Sequence, residues 1–212
     1  MANAHYKPLQ IGVIVFEAVM QLDFIGVTSY LEILPAIANV PVQFHTISLA
    51  QGNLLSSGGP VSGVPLYASV GYQDAPQSFD IFLIPGGRGR INLVKDQGIL
   101  DYIRTAAEQS THVLTVCTGS GILARTGFLD GKNATTNKLT YDEIVGASPS
   151  VNWIRKARWV VDGKIWTSSG VSAGMDMAYA YIAQHYGSET ADKMARYIET
   201  VPNKDPSNDP FA

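Results

Sequence analysis

The chain has 212 residues, 46% of them hydrophobic and 16% charged, with a net charge of -3. This composition suits one folded domain of ordinary size and excludes a disordered chain, a basic footprint for nucleic acid and a polybasic membrane patch. No apolar run is long enough to span a bilayer, and a single cysteine excludes an internal disulfide and any multi-cysteine metal site, so a reducing cytoplasm is the expected compartment.

The first ten residues, MANAHYKPLQ, contain no apolar core of a secretion signal. Residues 9–16, LQIGVIVF, form a near-continuous apolar run, the pattern of a strand buried on both faces. A loop over 17–23 ends at Asp23, which could cap a helix over 24–38 with Phe24, Val27, Tyr30, Leu31 and Leu34 inward and Pro35 kinking or ending it. A second strand is predicted over 42–49. Residues 52–63, dense in Gly and Ser, read as a turn region, and 64–70 as a short hairpin or edge strand. The run FDIFLI (79–84) is another buried strand and leads into Pro85, Gly86, Gly87, Arg88 and Gly89. Asp96 is placed to cap a helix reaching about Gln109, with Ile99, Leu100 and Ile103 inward.

The stretch HVLTVCTGSGILAR (112–125) is the centre of the chain. A β-branched apolar run breaks at small residues straight into a helix that stops near Gly127, the sequence form of a nucleophile elbow. Cys117 falls at the turn, beside the first helical N–H groups and the positive end of the helix dipole. There the thiol is expected to lose its proton more readily. The plainer alternative is a small buried hydrophobe. Further on, the pattern predicts a short strand over 133–136 and a short helix over 140–145. A hairpin over 153–166 follows, in an exposed or edge position, with Asp162-Gly163 as its turn. Helices follow over 172–186, with Met175, Ala178, Tyr179 and Ile182 on one face, and over 189–199. One domain over 1–200 and an irregular tail over 201–212 are expected.

Strands alternating with helices predict an α/β fold, a mostly parallel sheet with helices on both faces and the ligand site at the carboxyl ends of the strands. Three loops there, 17–23, 85–89 and 117–121, could converge on one crevice. IPGGRGR has neither dinucleotide nor P-loop spacing. Gly86 and Gly87 could instead aim backbone N–H groups at the thiolate and, with the N–H of Thr118, form an oxyanion-hole-like site; the alternative is a plain loop. Asp23 is either a helix N-cap or a shielded carboxyl with a raised pKa able to move protons, and the two can hold together. His45, His112 and His185 are expected far from the elbow.

With IPGG, VCTGS, NATT and GVSAGMD in place, the chain resembles the ThiJ/PfpI superfamily from Ile11 to about Glu199. It is most similar to the isocyanide hydratase branch, whose Q-L-D segment and Cys-Thr pair resemble QLDFIG and Cys117-Thr118. The resemblance implies a flavodoxin-like sandwich and a homodimer. It puts Cys117 on the nucleophile, Asp23 on the acidic residue near the thiol and Thr118 on the residue after the nucleophile. Gly86 and Gly87 fall on the glycines beside the sulfur, and residues 169–176, with Gly170, on the pocket lining. Thr118 stands where peptidase-like and glyoxalase-like members have His, which speaks against a Cys-His pair. Asn137 stands where the hydratase branch commonly has His after A-T-T. The same domain also precedes helix-turn-helix regulators, but 212 residues leave no room for a DNA-binding domain, so that role is not expected.

The implied reaction is hydration of an isocyanide to an N-formamide with no metal or organic cofactor, a soft thiolate attacking a soft carbon and Asp23 carrying the proton. Two alternatives are glyoxalase-type carbonyl chemistry and a non-enzymatic redox sensor in which Cys117 oxidises at the helix N-terminus.

Overall fold

The computed structural model describes residues 7–212; the leading part of the segment read as lacking a signal core, residues 1–6, lies outside them. Strand β1 (Leu9–Ile14) is followed by helices α1 (Gln21–Leu31) and α2 (Leu34–Ala38), then by strand β2 (Val42–Ser48). A small antiparallel hairpin, β3 (Gly52–Leu55) and β4 (Pro65–Ala68), encloses the short helix α3 (Gly59–Ser62) and precedes β5 (Val70–Gly71). Strand β6 (Ile81–Ile84), helices α4 (Arg90–Leu93) and α5 (Gln97–Gln109), strand β7 (His112–Thr115) and helix α6 (Gly119–Arg125) come next. The remainder is β8 (Asn133–Ala134), α7 (Tyr141–Ala147), β9 (Asn152–Trp153), β10 (Trp159–Asp162), β11 (Ile165–Ser168), α8 (Ala173–Tyr186) and α9 (Ser188–Tyr197).

Seven strands form the central sheet in the order β10-β11-β7-β6-β1-β2-β5, all parallel except β10. Successive residues of its strands face opposite sides. Ile11, Val13, Ile81, Leu83 and Leu114 pack in one core with residues of α1 and α8. Ile14, Phe82, Ile84 and Val113 pack in a second core with residues of α5 and α6. Two buried faces explain why these strands read as continuous apolar runs. This is the expected α/β, flavodoxin-like sandwich.

Several local expectations need correction. The helix expected over 24–38 starts three residues earlier and is broken, because Pro35 has no N–H for Leu31 and instead occupies the first turn of α2. Asp23 is not an N-cap. Met20 holds that position and Asp23 lies inside the first turn with its side chain buried. The segment read as a turn region holds β3 and α3. The hairpin turn is Gly163-Lys164, since Asp162 pairs with Ile165 and its carboxylate accepts the Asn133 N–H at 2.9 Å. Of this hairpin's two strands β10 lies at an edge of the sheet, while β11 lies inside it and is buried throughout. The segment 133–136 forms only the two-residue strand β8, and the helix expected over 140–145 runs on to Ala147. Asp96 does cap α5, accepting the Ile99 N–H at 3.0 Å.

The tail has no helix or strand, yet it is docked. The Pro206 carbonyl accepts the Arg158 N–H at 2.6 Å, and Asp209 is buried.

Candidate active site

Because the strands are parallel, the loops after β1, β6, β7 and β11 emerge at one edge of the sheet. The chain leaves β1 towards β2 on one side and returns to β6 on the other, which opens a crevice between their ends. Asp23, just after β1, reaches across it: its Oδ2 accepts the Gly86 N–H at 2.9 Å. Thr118 Oγ1 accepts the Gly87 N–H at 3.1 Å. Gly86 has to be glycine, since a Cβ there would run into Thr118 and stand 3.0 Å from Asp23 Oδ2.

Cys117 is the turn residue between β7 and α6, with φ 58, the left-handed region that side chains rarely adopt. Its backbone is held on several sides. The Cys117 N–H donates to Ser169 O at 3.0 Å, and Cys117 O accepts the hydroxyls of Thr136 at 3.0 Å and Ser120 at 3.2 Å. Gly119 lets the turn close against β6, where any Cβ would collide with the Ile84 carbonyl. Gly119→Ala is therefore expected to lower unfolding stability by about 3 kcal/mol or more, as forced overpacking does. Urea denaturation checks this, and a loss below about 1 kcal/mol would show that the elbow relaxes freely.

The thiol is 7% exposed. Contrary to the expectation of an acidified thiol, burial and then the neighbouring Asp23 carboxylate push Cys117 up, from 9.0 to about 12. The backbone amides of Val171 and Thr118 hydrogen-bond the sulfur and oppose that rise. Asp23 is pushed up from 3.8 to about 7 by burial, against the lowering effects of the Gly86 amide and the Cys117 thiol. Its second oxygen, Oδ1, is buried with no hydrogen bond of regular geometry. A carboxyl poised near neutrality thus lies against a neutral thiol and can receive its proton.

The structure brings Cys117, Asp23, Thr118, Gly86 and Gly87 together, but it corrects one part assigned to the glycines. Their N–H groups are taken by Asp23 and Thr118, so they position the acid and the hydroxyl instead of facing the sulfur. The second donor to the sulfur is Val171, which sequence reasoning missed. A β-branched residue at φ 40 carries no signature in the chain. Gly170 lines a neighbouring cleft of about 260 Å³ together with Asn137, Lys138, Leu139, Val171 and Phe211. Asn137 packs on Gly170, where a Cβ would lie 2.6 Å from its Nδ2. At the far end of the expected lining segment, Asp176 instead pairs with the buried Arg158 at 2.8 Å.

The three described histidines, His45, His112 and His185, do lie elsewhere. His45 Nε2 meets Gln10 Oε1 at 2.9 Å, and the rings of His112 and His185 lie 4.5 Å apart, tilted by 58°. Among the described residues no group of three or more His, Cys, Asp or Glu could hold a metal ion, and no helix is long and apolar enough to cross a membrane.

A doubly covered parallel sheet with a left-handed cysteine at an elbow and an acid against its thiol defines a cysteine-elbow α/β protein. The chain belongs to the DJ-1/PfpI family, whose model matches residues 10–184. It is 35% identical to isonitrile hydratase from Pseudomonas putida over 196 residues, 92% of this chain and 79% of that protein. It is 30% identical to the deglycase PH1704 from Pyrococcus horikoshii, over 51% of this chain and 61% of that one. Among solved structures, a ThiJ/PfpI family protein from Pseudomonas syringae superposes with a TM-score of 0.81 at 21% identity, covering 93% of this chain and 77% of that one.

Proposed function

We propose that the chain is an isocyanide hydratase that works in the cytoplasm as a homodimer. The observation that carries this reading is the buried Asp23 carboxyl against the Cys117 thiol, with Thr118 and, among the described residues, no histidine beside them. The similarity to the Pseudomonas putida enzyme supports it.

The chemistry runs on these groups and water. The Asp23 carboxylate takes the thiol proton as sulfur bonds to the terminal carbon of R–NC, and returns it to that carbon, giving a thioimidate, R–N=CH–S–Cys117. Charge on the departing thiol proton's sulfur is met by the Val171 and Thr118 amides. Water then adds to the same carbon, the Asp23 carboxylate taking a proton from the water and passing it to nitrogen. The C–S bond breaks, the hydroxyl proton returns to sulfur through Asp23, and the formamide R–NH–CHO leaves. The net change is addition of one water, and no electrons enter or leave.

Glyoxalase-type chemistry needs a proton shuttled between two carbons, for which this site offers one carboxyl and, among the described residues, no imidazole. The test is to supply cyclohexyl isocyanide and methylglyoxal in parallel and to follow N-cyclohexylformamide and lactate by NMR. Formamide from the isocyanide is the expected product. Lactate formed faster than formamide would replace the hydratase reading with carbonyl chemistry.

A further inference from the structure

The tail segment 201–212 reaches the cleft beside the nucleophile and is latched there by buried charge. Asp209 lies 3.3 Å from Lys138 Nζ, and the two side chains are 0% and 5% exposed. Lys138 also donates to Thr135 Oγ1 and to the carbonyls of Thr136 and Ala157 at 2.9–3.0 Å. Asp209 accepts the Phe211 N–H at 3.1 Å and is hydrogen-bonded by the Ser169 side chain. Both partners lead to the elbow: Thr136 holds the Cys117 carbonyl and Ser169 holds the Cys117 N–H. A buried ion pair is costly to break by removing one partner, because the other charge is left uncompensated, so it fixes where the tail lies.

What the latch sets in place is Phe211, a wall of the 260 Å³ cleft that shares Val171 with the sulfur's surroundings. The Phe211 ring is 71% exposed and Leu139 at the same cleft is 93% exposed. Two large apolar side chains left in water at a cleft beside a reactive group are surface that a ligand would cover. The cleft is below the roughly 300–1,000 Å³ that holds drug-sized ligands, so it suits one small organic group.

We propose that segment 201–212 is the outer wall of the substrate cleft, with Phe211 as the residue that selects a compact apolar substituent on the electrophile attacked by Cys117. This rests on the reading of Cys117 as nucleophile, but not on the electrophile being an isocyanide. Asp209 and Lys138 are positioning residues, acting through Phe211.

Cys117 is the only cysteine, so its alkylation is readable as intact mass. The experiment compares the rates with iodoacetamide and with N-phenyliodoacetamide. In both reactions the S–C bond forms, iodide leaves and the thiol proton is released. The ratio of the two rates cancels any general change in thiol reactivity. Wild type is expected to favour the phenyl reagent. Phe211→Ala should lower that preference about tenfold, the worth of the apolar contact removed, and Phe211→Leu should stay within about threefold of wild type. Asp209→Asn, which leaves the ring intact, should also lower it. A ratio unchanged in Phe211→Ala and Asp209→Asn, with native circular dichroism, would overturn the proposal. Absence of isocyanide turnover, by contrast, would count against the hydratase reading and leave this ratio as it stands.

Discussion

Cys117→Ala is expected to lower formamide production from an isocyanide by at least about 10⁴-fold, to the uncatalysed background, because Cys117 is the one thiol in the chain. The size of the effect does not depend on a resting thiolate. Burial holds the thiol up at about 12, yet its proton does not have to reach bulk water; Asp23, at about 7, receives it within the same site. The variant should remain folded. Alanine keeps the same Cβ at φ 58, so it adds no backbone strain to that already stored there, and the Ser169, Thr136 and Ser120 bonds are to the backbone of residue 117. Rates by NMR, with a denaturation curve as control, decide the matter. Retained turnover in a folded Cys117→Ala protein would remove the thioimidate route.

Asp23→Asn separates two consequences of one buried carboxyl. The amide oxygen can still accept the Gly86 N–H, so the loop geometry is kept while proton transfer is lost. Turnover should fall about 10²–10⁴-fold. In wild type, kcat/KM is expected to rise about tenfold per pH unit up to about 7 and to level off above it, because below that point Asp23 already carries a proton and cannot accept the thiol's. The variant should lack this limb.

Stability runs the other way. The folded-state pKa lies above the ordinary 3.8, so the folded protein holds this proton more tightly than the unfolded chain. Burial of Asp23 therefore costs nothing below about pH 4, costs progressively more as pH rises to about 7, and is constant beyond. The full displacement corresponds to on the order of 4 kcal/mol. Urea denaturation should find Asp23→Asn more stable than wild type at pH 8 by up to that amount and equal to it near pH 4. Equal stability at both pH values would show that the carboxyl is not held in a dry site.

The comparison of Asp23 with Cys117 shows where sequence reasoning reaches and where it stops. Both residues were placed near the crevice from local signals, a break after a buried apolar run in each case, and a raised carboxyl pKa was among the readings of Asp23. The Cys117 shift runs opposite to the one its helix position predicts. Helix position alone argues for an acidic thiol, but how far the sulfur is dried out is set by distant chain segments. Gly86 and Gly87 repeat the pattern: their presence beside the site is local, while the partners of their N–H groups come from α1 and from the start of α6.

By itself the sequence determined the sheet and the elbow. Near-continuous apolar runs at 9–16 and 79–84 and the short one at 113–116 are satisfied between two helical layers, and the small residues after Cys117 permit the tight strand-to-helix turn. These are properties of neighbouring residues and their period. The tertiary structure alone decided the thiol's protonation, the role of Val171 as a donor, and the docking of the tail. Each depends on residues remote in the chain meeting in space. Loop 169–171 closes on the sulfur, and Asp209 finds Lys138 across the fold. Desolvation and buried charge pairing depend on what surrounds a group from all directions, and no local pattern encodes that.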